Sequence, residues 1–459
     1  MSNHADEHMV TPAHEARKAL WVIAAAALVL RVAFLLLEPA VGPVADERTW
    51  TDGARQVASA RVGLDAFKTH LLIFHPPLYT YFLAVPFRVS GTFEAVKWIQ
   101  VVVTALLVLV LGRLGFRVFG PRVGLVAAAM AALYPELVWF ASHFWVENLF
   151  VVLLWWAMER LLAADEEGRW PIAAVAGALW GLAILARETG LYFIPFAALW
   201  LALRAPRPGG QARAAAFALA ALLTVAPWTY RNWVVFHAFV PVSTAGGLNL
   251  FQGNARLSRQ EVYDIYYAVE GKIEQYRYAR REGLRVVRER QPTWFFEKLR
   301  EQMPRFWEAE SMAVIHVKRG AYGVVRPWVA IAIAGVMLAP YLTILALFVA
   351  GLAIGPYDRV KVLLLGFLLY YNLIHVATHG FNRYRLPVMP AIFLFAAVGW
   401  VAVRSKSFRV PGWRRRLAAL LVAAALALSV APSLRMHLRH PVFGFAGPAP
   451  ALTDEAPPP

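Results

Sequence analysis

Cysteine is missing from all 459 residues. That removes disulfides, a thiol nucleophile and thiolate-bound zinc, and it suits a chain that faces an oxidising space without exploiting it. Charge is sparse too: Asp, Glu, Lys and Arg together make up 16%, against about 25% in soluble domains. Acids are the scarcer sign, 29 against 46 Lys and Arg, which gives a formal charge of +17. No internal repeat of the kind found in transporters is visible, and no cluster has metal-ligand spacing. The lead before the first apolar run has no A-x-A-like cleavage site, so that run reads as a retained anchor.

What fills the chain is apolar: 59% of residues are hydrophobic, well above the roughly 45–50% of soluble domains. Runs of about 17–25 apolar residues can cross the hydrocarbon core as helices, which satisfy their own backbone there. The sequence predicts eleven: 19–37, 94–114, 122–140, 147–163, 171–187, 190–203, 214–230, 327–350, 362–378, 384–403 and 416–432. The fold class expected is an all-α polytopic membrane protein. Arg17, Lys18, Arg113, Arg117, Arg122, Arg204, Arg207, Arg213, Arg359, Lys361 and the 404–416 basic run sit at alternate ends of the spans. They mark a cytoplasmic side, the N-terminus included, and account for the positive charge without nucleic acid. An N-terminal membrane module (1–230) then precedes an outer-face loop domain (231–326), C-terminal spans (327–434) and a Pro- and Ala-rich tail (435–459) expected to be disordered. Segments 38–93 and 231–326 share the outer face.

Chemistry-bearing residues gather there. Asp46-Glu47 open a predicted short surface helix, Thr49–Ala60, where Asp46 can cap the helix or act as a general base. His75-Pro76-Pro77-Leu78-Tyr79 locks the chain before Leu78–Phe87, an apolar stretch too short to span. That stretch is expected at the interface, with Tyr79 at headgroup level and His75 facing a phosphate. Glu147 starts the fourth span, Arg187-Glu188 joins the fifth and sixth, and Arg383-Tyr384-Arg385 opens the tenth. Ionisable groups near a bilayer are costly enough to need a cavity or partners; Arg31, inside the first span, is expected to turn inward and pair with an acid. In 240–254, Gly246-Gly247 and Gly253 would let a ligand approach, and Asn249, Gln252 and Asn254 offer amides for a sugar. Residues 259–291 carry Val262, Tyr266, Val269, Ile273 and Tyr276 at helical spacing, an amphipathic helix.

Asp46-Glu47, His75-Pro76-Pro77-Leu78-Tyr79, Pro135-Glu136 with Glu147 downstream, Arg187-Glu188, the 240–254 run and Arg383-Tyr384-Arg385-Leu386-Pro387 together resemble bacterial GT-C glycosyltransferases of the family 39 and aminoarabinose-transferase-like group. The resemblance runs to about the tenth span and implies a GT-C fold. It also implies a polyprenyl-phosphate-linked sugar donor and inverting transfer to a glycan, lipid or protein acceptor outside the bacterial inner membrane. On that resemblance Asp46 and Glu147, with Glu47 beside them, are the catalytic carboxylates. His75 stands where aminoarabinose transferases carry a Lys that contacts the donor phosphate. Arg383, Arg385 and Arg187 are candidates for the same phosphate, of which only one of the 383/385 pair is expected to touch it, because residues two apart on a helix do not share a face. Tyr79, Asn249, Gln252 and Asn254 are candidate substrate contacts. Asp46 and Glu147 could share a divalent metal if they meet in space. A WWDYG-like motif of oligosaccharyltransferases is absent. The rival reading is a flippase or transporter of a polyprenyl-linked substrate, which calls for ionisable groups spread across bilayer depth.

Overall fold

The structure is a computed structural model that describes residues 3–44, 46–59, 73–203, 209–355, 357–405 and 412–439. Part of the first outer segment (60–72), Arg204 and Arg207, part of the 404–416 basic run and most of the expected disordered tail lie outside those residues. Every regular element among the described residues is helical, as the composition requires.

The first module runs α1 (Asn3–Leu37), α2 (Asp46–Ser59), α3 (Pro77–Ser90), α4 (Glu94–Phe119), α5 (Pro121–Leu133), α6 (Pro135–Phe140), α7 (Glu147–Glu167), α8 (Trp170–Ala186), a 3₁₀ turn (Glu188–Phe193), α9 (Ile194–Ala202) and α10 (Gly210–Phe236). The second outer segment folds as α11 (Ala245–Asn254), α12 (Arg259–Ala268), α13 (Lys272–Glu289), α14 (Thr293–Phe306) and α15 (Met312–Lys318). The chain then returns through α16 (Pro327–Ile354), α17 (Arg359–Ala377), a second 3₁₀ turn (Asn382–Val388), α18 (Met389–Arg404) and α19 (Trp413–Arg439). All eleven expected spans fall on helices, and among the described residues seven helical segments are by length and composition able to cross a membrane, so the count of eleven is not confirmed. The causes are local. Tyr134, extended before Pro135, splits 122–140 into α5 and α6, as a residue preceding proline is disposed to do. α8 and the 188–202 segment are short, and α7 carries Glu159, Asp165, Glu166 and Glu167 in its second half. The amphipathic stretch 259–291 is likewise two helices, because Gly271 adopts φ 82° between them; Val262 and Tyr266 on the first are buried as expected.

One large core, rich in Ala, Leu, Phe and Trp, runs through the bundle. α16 and α18 cross closely at Gly351 and Gly399: a Cβ on Gly351 would lie 1.8 Å from the Phe395 carbonyl oxygen, and one on Gly399 2.3 Å from that of Leu347. Small residues of this kind let helices approach where lipid supplies no hydrophobic drive. Arg31 turns inward as expected, with a different partner. It donates to the carbonyls of Ala27, Ala131 and Ala132 at 3.1–3.3 Å, two of them freed at the C-terminus of α5, where the helix dipole is negative.

The segment 237–318 is pinned to the bundle by buried side chains. Trp228 Nε1 donates to Val242 O (2.8 Å) and Asn232 Nδ2 to Val240 O (2.9 Å). Trp307 Nε1 donates to Asn372 Oδ1 at 2.8 Å.

Candidate active site

At the end of the bundle where α2, α7, α8 and α17 begin or finish, the helices of 245–318 enclose an open cavity of about 2580 Å³. Its floor is a run of alternating charges. Asp46, in the first turn of α2, pairs with Arg383; the Arg383 guanidinium reaches Glu147 at 4.0 Å; Glu147 holds Arg187 at 2.5 Å. Four residues from four separate stretches of chain therefore form one line, Asp46–Arg383–Glu147–Arg187. Aromatic faces hold the guanidiniums flat: Arg383 lies over Trp145 (4.5 Å) and Tyr384 (5.2 Å), and Arg187 over Tyr384 (4.4 Å). Such planar cations can grip phosphate oxygens in pairs.

Burial alone would raise the Asp46 carboxyl, but Arg383, with His75 and Arg259 further off, holds it below the usual carboxylate range. His75 sits on the cavity wall with its ring 4.5 Å from Trp50. Burial drives its pKa down to about 4; Asp46 pulls it up and Arg383 pushes it further down. It is a neutral imidazole at pH 7, able to donate one hydrogen bond. The loop that carries it is fixed from the second long segment, since Thr244 and Ala245 donate backbone bonds to Ile73 and Phe74 at 2.9 and 3.1 Å.

The remaining expected residues divide. Asn249 and Gln252 line the cavity. Asn254 borders it but is spent on structure: its amide donates to Leu250 O and Ala377 O (2.8 and 3.0 Å) and accepts from Trp294 Nε1 (2.7 Å). Gly246 and Gly253 make room for protein: a Cβ would lie 2.5 Å from Glu188 Oε1 at Gly246 and 1.4 Å from Thr378 O at Gly253. Glu47 is turned away into the core, where its oxygens accept from the Val44 N–H (3.0 Å) and the Phe144 N–H (2.8 Å). It ties α2 to the loop before α7. Arg385 is buried behind the cavity, paired with Glu136 at 3.1 Å and donating to the Glu308 carbonyl. Arg383 is thus the member of the pair that faces the cavity. Tyr79 is also buried, its hydroxyl donating to Gln100 Oε1 at 2.6 Å, so it braces α3 against α4 and does not reach the cavity.

Among the described residues no cluster of three metal ligands occurs. Asp46 and Glu147 do converge, as a shared ion would require, but the Arg383 guanidinium occupies the place between them; this arrangement does not fit a bridging metal. Sequence reasoning missed Trp145, Tyr384, His379 and Glu308 on the cavity wall. The signal for Tyr384 was its place between two arginines; the others acquire meaning only through long-range contacts.

The helical membrane bundle capped by the helices of 245–318 has the GT-C fold, as the sequence leads one to expect. Residues 74–230 match the dolichyl-phosphate-mannose-protein mannosyltransferase family. The apo oligosaccharyltransferase of Archaeoglobus fulgidus superposes with a TM-score of 0.52 at 15% identity, over 91% of this chain and 55% of that one. This chain therefore spans about half the length of that protein. ArnT from Cupriavidus metallidurans bound to undecaprenyl phosphate is similar more loosely, with a TM-score of 0.43 at 16% identity over 91% of this chain and 72% of that one. No curated protein matches the sequence.

Proposed function

We propose that the protein is a membrane glycosyltransferase that moves a sugar from a polyprenyl-phosphate donor to an acceptor hydroxyl, with inversion, at the outer face of a bacterial inner membrane. The observation that carries this reading is the Asp46–Arg383–Glu147–Arg187 line on the floor of the cavity; the match of residues 74–230 to the dolichyl-phosphate-mannose-protein mannosyltransferase family supports it.

The chemistry follows from the pairing. The donor phosphodiester offers two non-bridging oxygens that a guanidinium can grip together, so it competes with Asp46 for Arg383, and it gains a second negative charge as the anomeric bond breaks. Arg187, beside it, and the neutral His75 N–H complete a clamp that stabilises the leaving polyprenyl phosphate as the anomeric bond breaks. Once Arg383 turns to phosphate, Asp46 loses the charge that held its proton affinity down. It becomes a base at the moment the donor is in place, and it takes the acceptor proton while the acceptor oxygen attacks the anomeric carbon. Glu147 keeps Arg187 oriented, and Asn249 and Gln252 offer amides to the sugar.

The test uses purified protein in lipid nanodiscs with a panel of polyprenyl-phosphate hexoses and pentoses and a cell-envelope acceptor fraction, with products read by mass spectrometry. Transfer from at least one donor is expected, and Asp46→Asn should lower it roughly 10²-fold or more, the usual cost of a lost general base, with the protein level unchanged. Undiminished transfer by the Asn variant would overturn the role of Asp46. Passage of intact donor across the bilayer without glycosyl transfer would favour a transporter.

A further inference from the structure

Seven carboxylates line the cavity, and six are engaged: Asp46 and Glu147 by the floor arginines, Glu188 by Ser243, and the others by neighbours in their own helices. Glu308 is different. It lies between α14 and α15, and among the described residues nothing hydrogen-bonds or ion-pairs with its side chain.

The backbone around Glu308 is held on every side. The preceding Trp307 donates to Asn372 and its carbonyl accepts from Tyr341 at 2.9 Å. The following Ala309 N–H donates to Ser433 Oγ at 2.9 Å. The Glu308 carbonyl itself accepts from Arg385, two residues from Arg383 in the same 3₁₀ turn. The backbone is thus fixed while the part-exposed carboxylate faces the cavity and its water.

We propose that Glu308 is the group that carries the acceptor's proton away from Asp46 to outer water. The inference rests on the transferase reading above. In the step, the acceptor O–H bond breaks and its proton passes to Asp46 as the acceptor oxygen bonds to the anomeric carbon and the polyprenyl phosphate departs. When Arg383 returns to Asp46 that proton cannot stay. It moves through cavity water to Glu308 and from there to bulk solvent, which leaves both carboxylates ready for another turnover.

The electrostatics agree with the geometry. Burial and the nearby Glu310 push the Glu308 carboxyl up to about 7, while Arg385, Lys318 and Arg305 pull it down. Glu310 is itself paired with Lys318 on α15, and Arg385 with Glu136. Asp46, held low, and His75, neutral down to pH about 4, cannot store a proton near neutrality; Glu308 can.

The experiment measures kcat between pH 5.5 and 8.5 for the nanodisc protein and for Glu308→Gln, each checked for folding by size exclusion and thermal unfolding. Wild type should lose activity as pH falls through about 7, because Glu308 must be unprotonated to receive. Glu308→Gln should be slower by about 10²-fold at pH 7, lack that acid limb, and regain rate in proportion to added imidazole. Glu308→Asp should restore most of the rate. Retention of the acid limb in Glu308→Gln, or a folded Gln variant that imidazole does not rescue, would overturn the proposal. Absence of transfer by wild type with every donor would instead defeat the transferase reading on which it rests.

Discussion

Asp46 and His75 line the same cavity and differ in character: one is held ionised by Arg383, the other is kept neutral by burial. The consequence for His75 is a pH-dependent stability. In the unfolded chain a histidine takes a proton near pH 6.5, whereas folded His75 resists until about pH 4. Between those values the unfolded state binds more protons, so folding stability falls as pH drops through the window. Burial of His143 and His379 works in the same direction. His75→Gln should therefore flatten part of the decline in thermal unfolding temperature between pH 6.5 and 4; a decline identical to wild type would show that the ring is not desolvated. At this scale the sequence was partly legible. Asp46, His75, Glu147, Arg187 and Arg383 stood out as charges next to apolar runs, where charge is expensive, and the structure places all five on one cavity. Glu47 and Arg385 stood out for the same reason, Tyr79 as an aromatic of the His75–Tyr79 motif, and all three face the core. Sequence position reports that a polar group needs a partner; whether that partner is substrate or protein depends on chain 50 to 250 residues away, as with Glu136 and Arg385.

Helices were legible where one physical signal dominated. Long uninterrupted runs such as 94–114 and 327–350 became α4 and α16. Where two signals competed, hydropathy hid the backbone: 122–140 is apolar throughout, yet Tyr134-Pro135 breaks it, and Gly271 interrupts a stretch whose amphipathic spacing continues across it. The crossing of α16 and α18 was not read at all, although Gly351 and Gly399 were present, because two glycines 48 positions apart acquire meaning only when their helices meet. Gly351→Ala places a methyl against the Phe395 carbonyl and should force the helices apart. Overpacking of this kind costs about 1–3 kcal/mol, visible as a lower unfolding temperature in detergent. An unchanged temperature would mean that the pair separates without penalty.

At the scale of the molecule, the candidate site residues share one end of the bundle while the basic loops alternate along the sequence. The topology expected from that alternation places the cavity outside: reporter fusions after Arg122 and Arg207 should read as cytoplasmic, and fusions within 272–289 as outer. A cytoplasmic signal from 272–289 would put the cavity on the side opposite to the proposed acceptors.

The seat of Arg31 also bears on how the chain is made. Its partners at Ala131 and Ala132 lie 100 and 101 residues downstream, and at about 5–20 residues per second they leave the ribosome roughly 5–20 s after the arginine does. During that interval α1 carries a guanidinium that costs about 2.5–3.5 kcal/mol at the centre of a bilayer. The first helix made therefore does not settle at once: it waits in the insertion machinery, or with its charge drawn toward the headgroups, until α5 ends and offers the carbonyls that fix it in place.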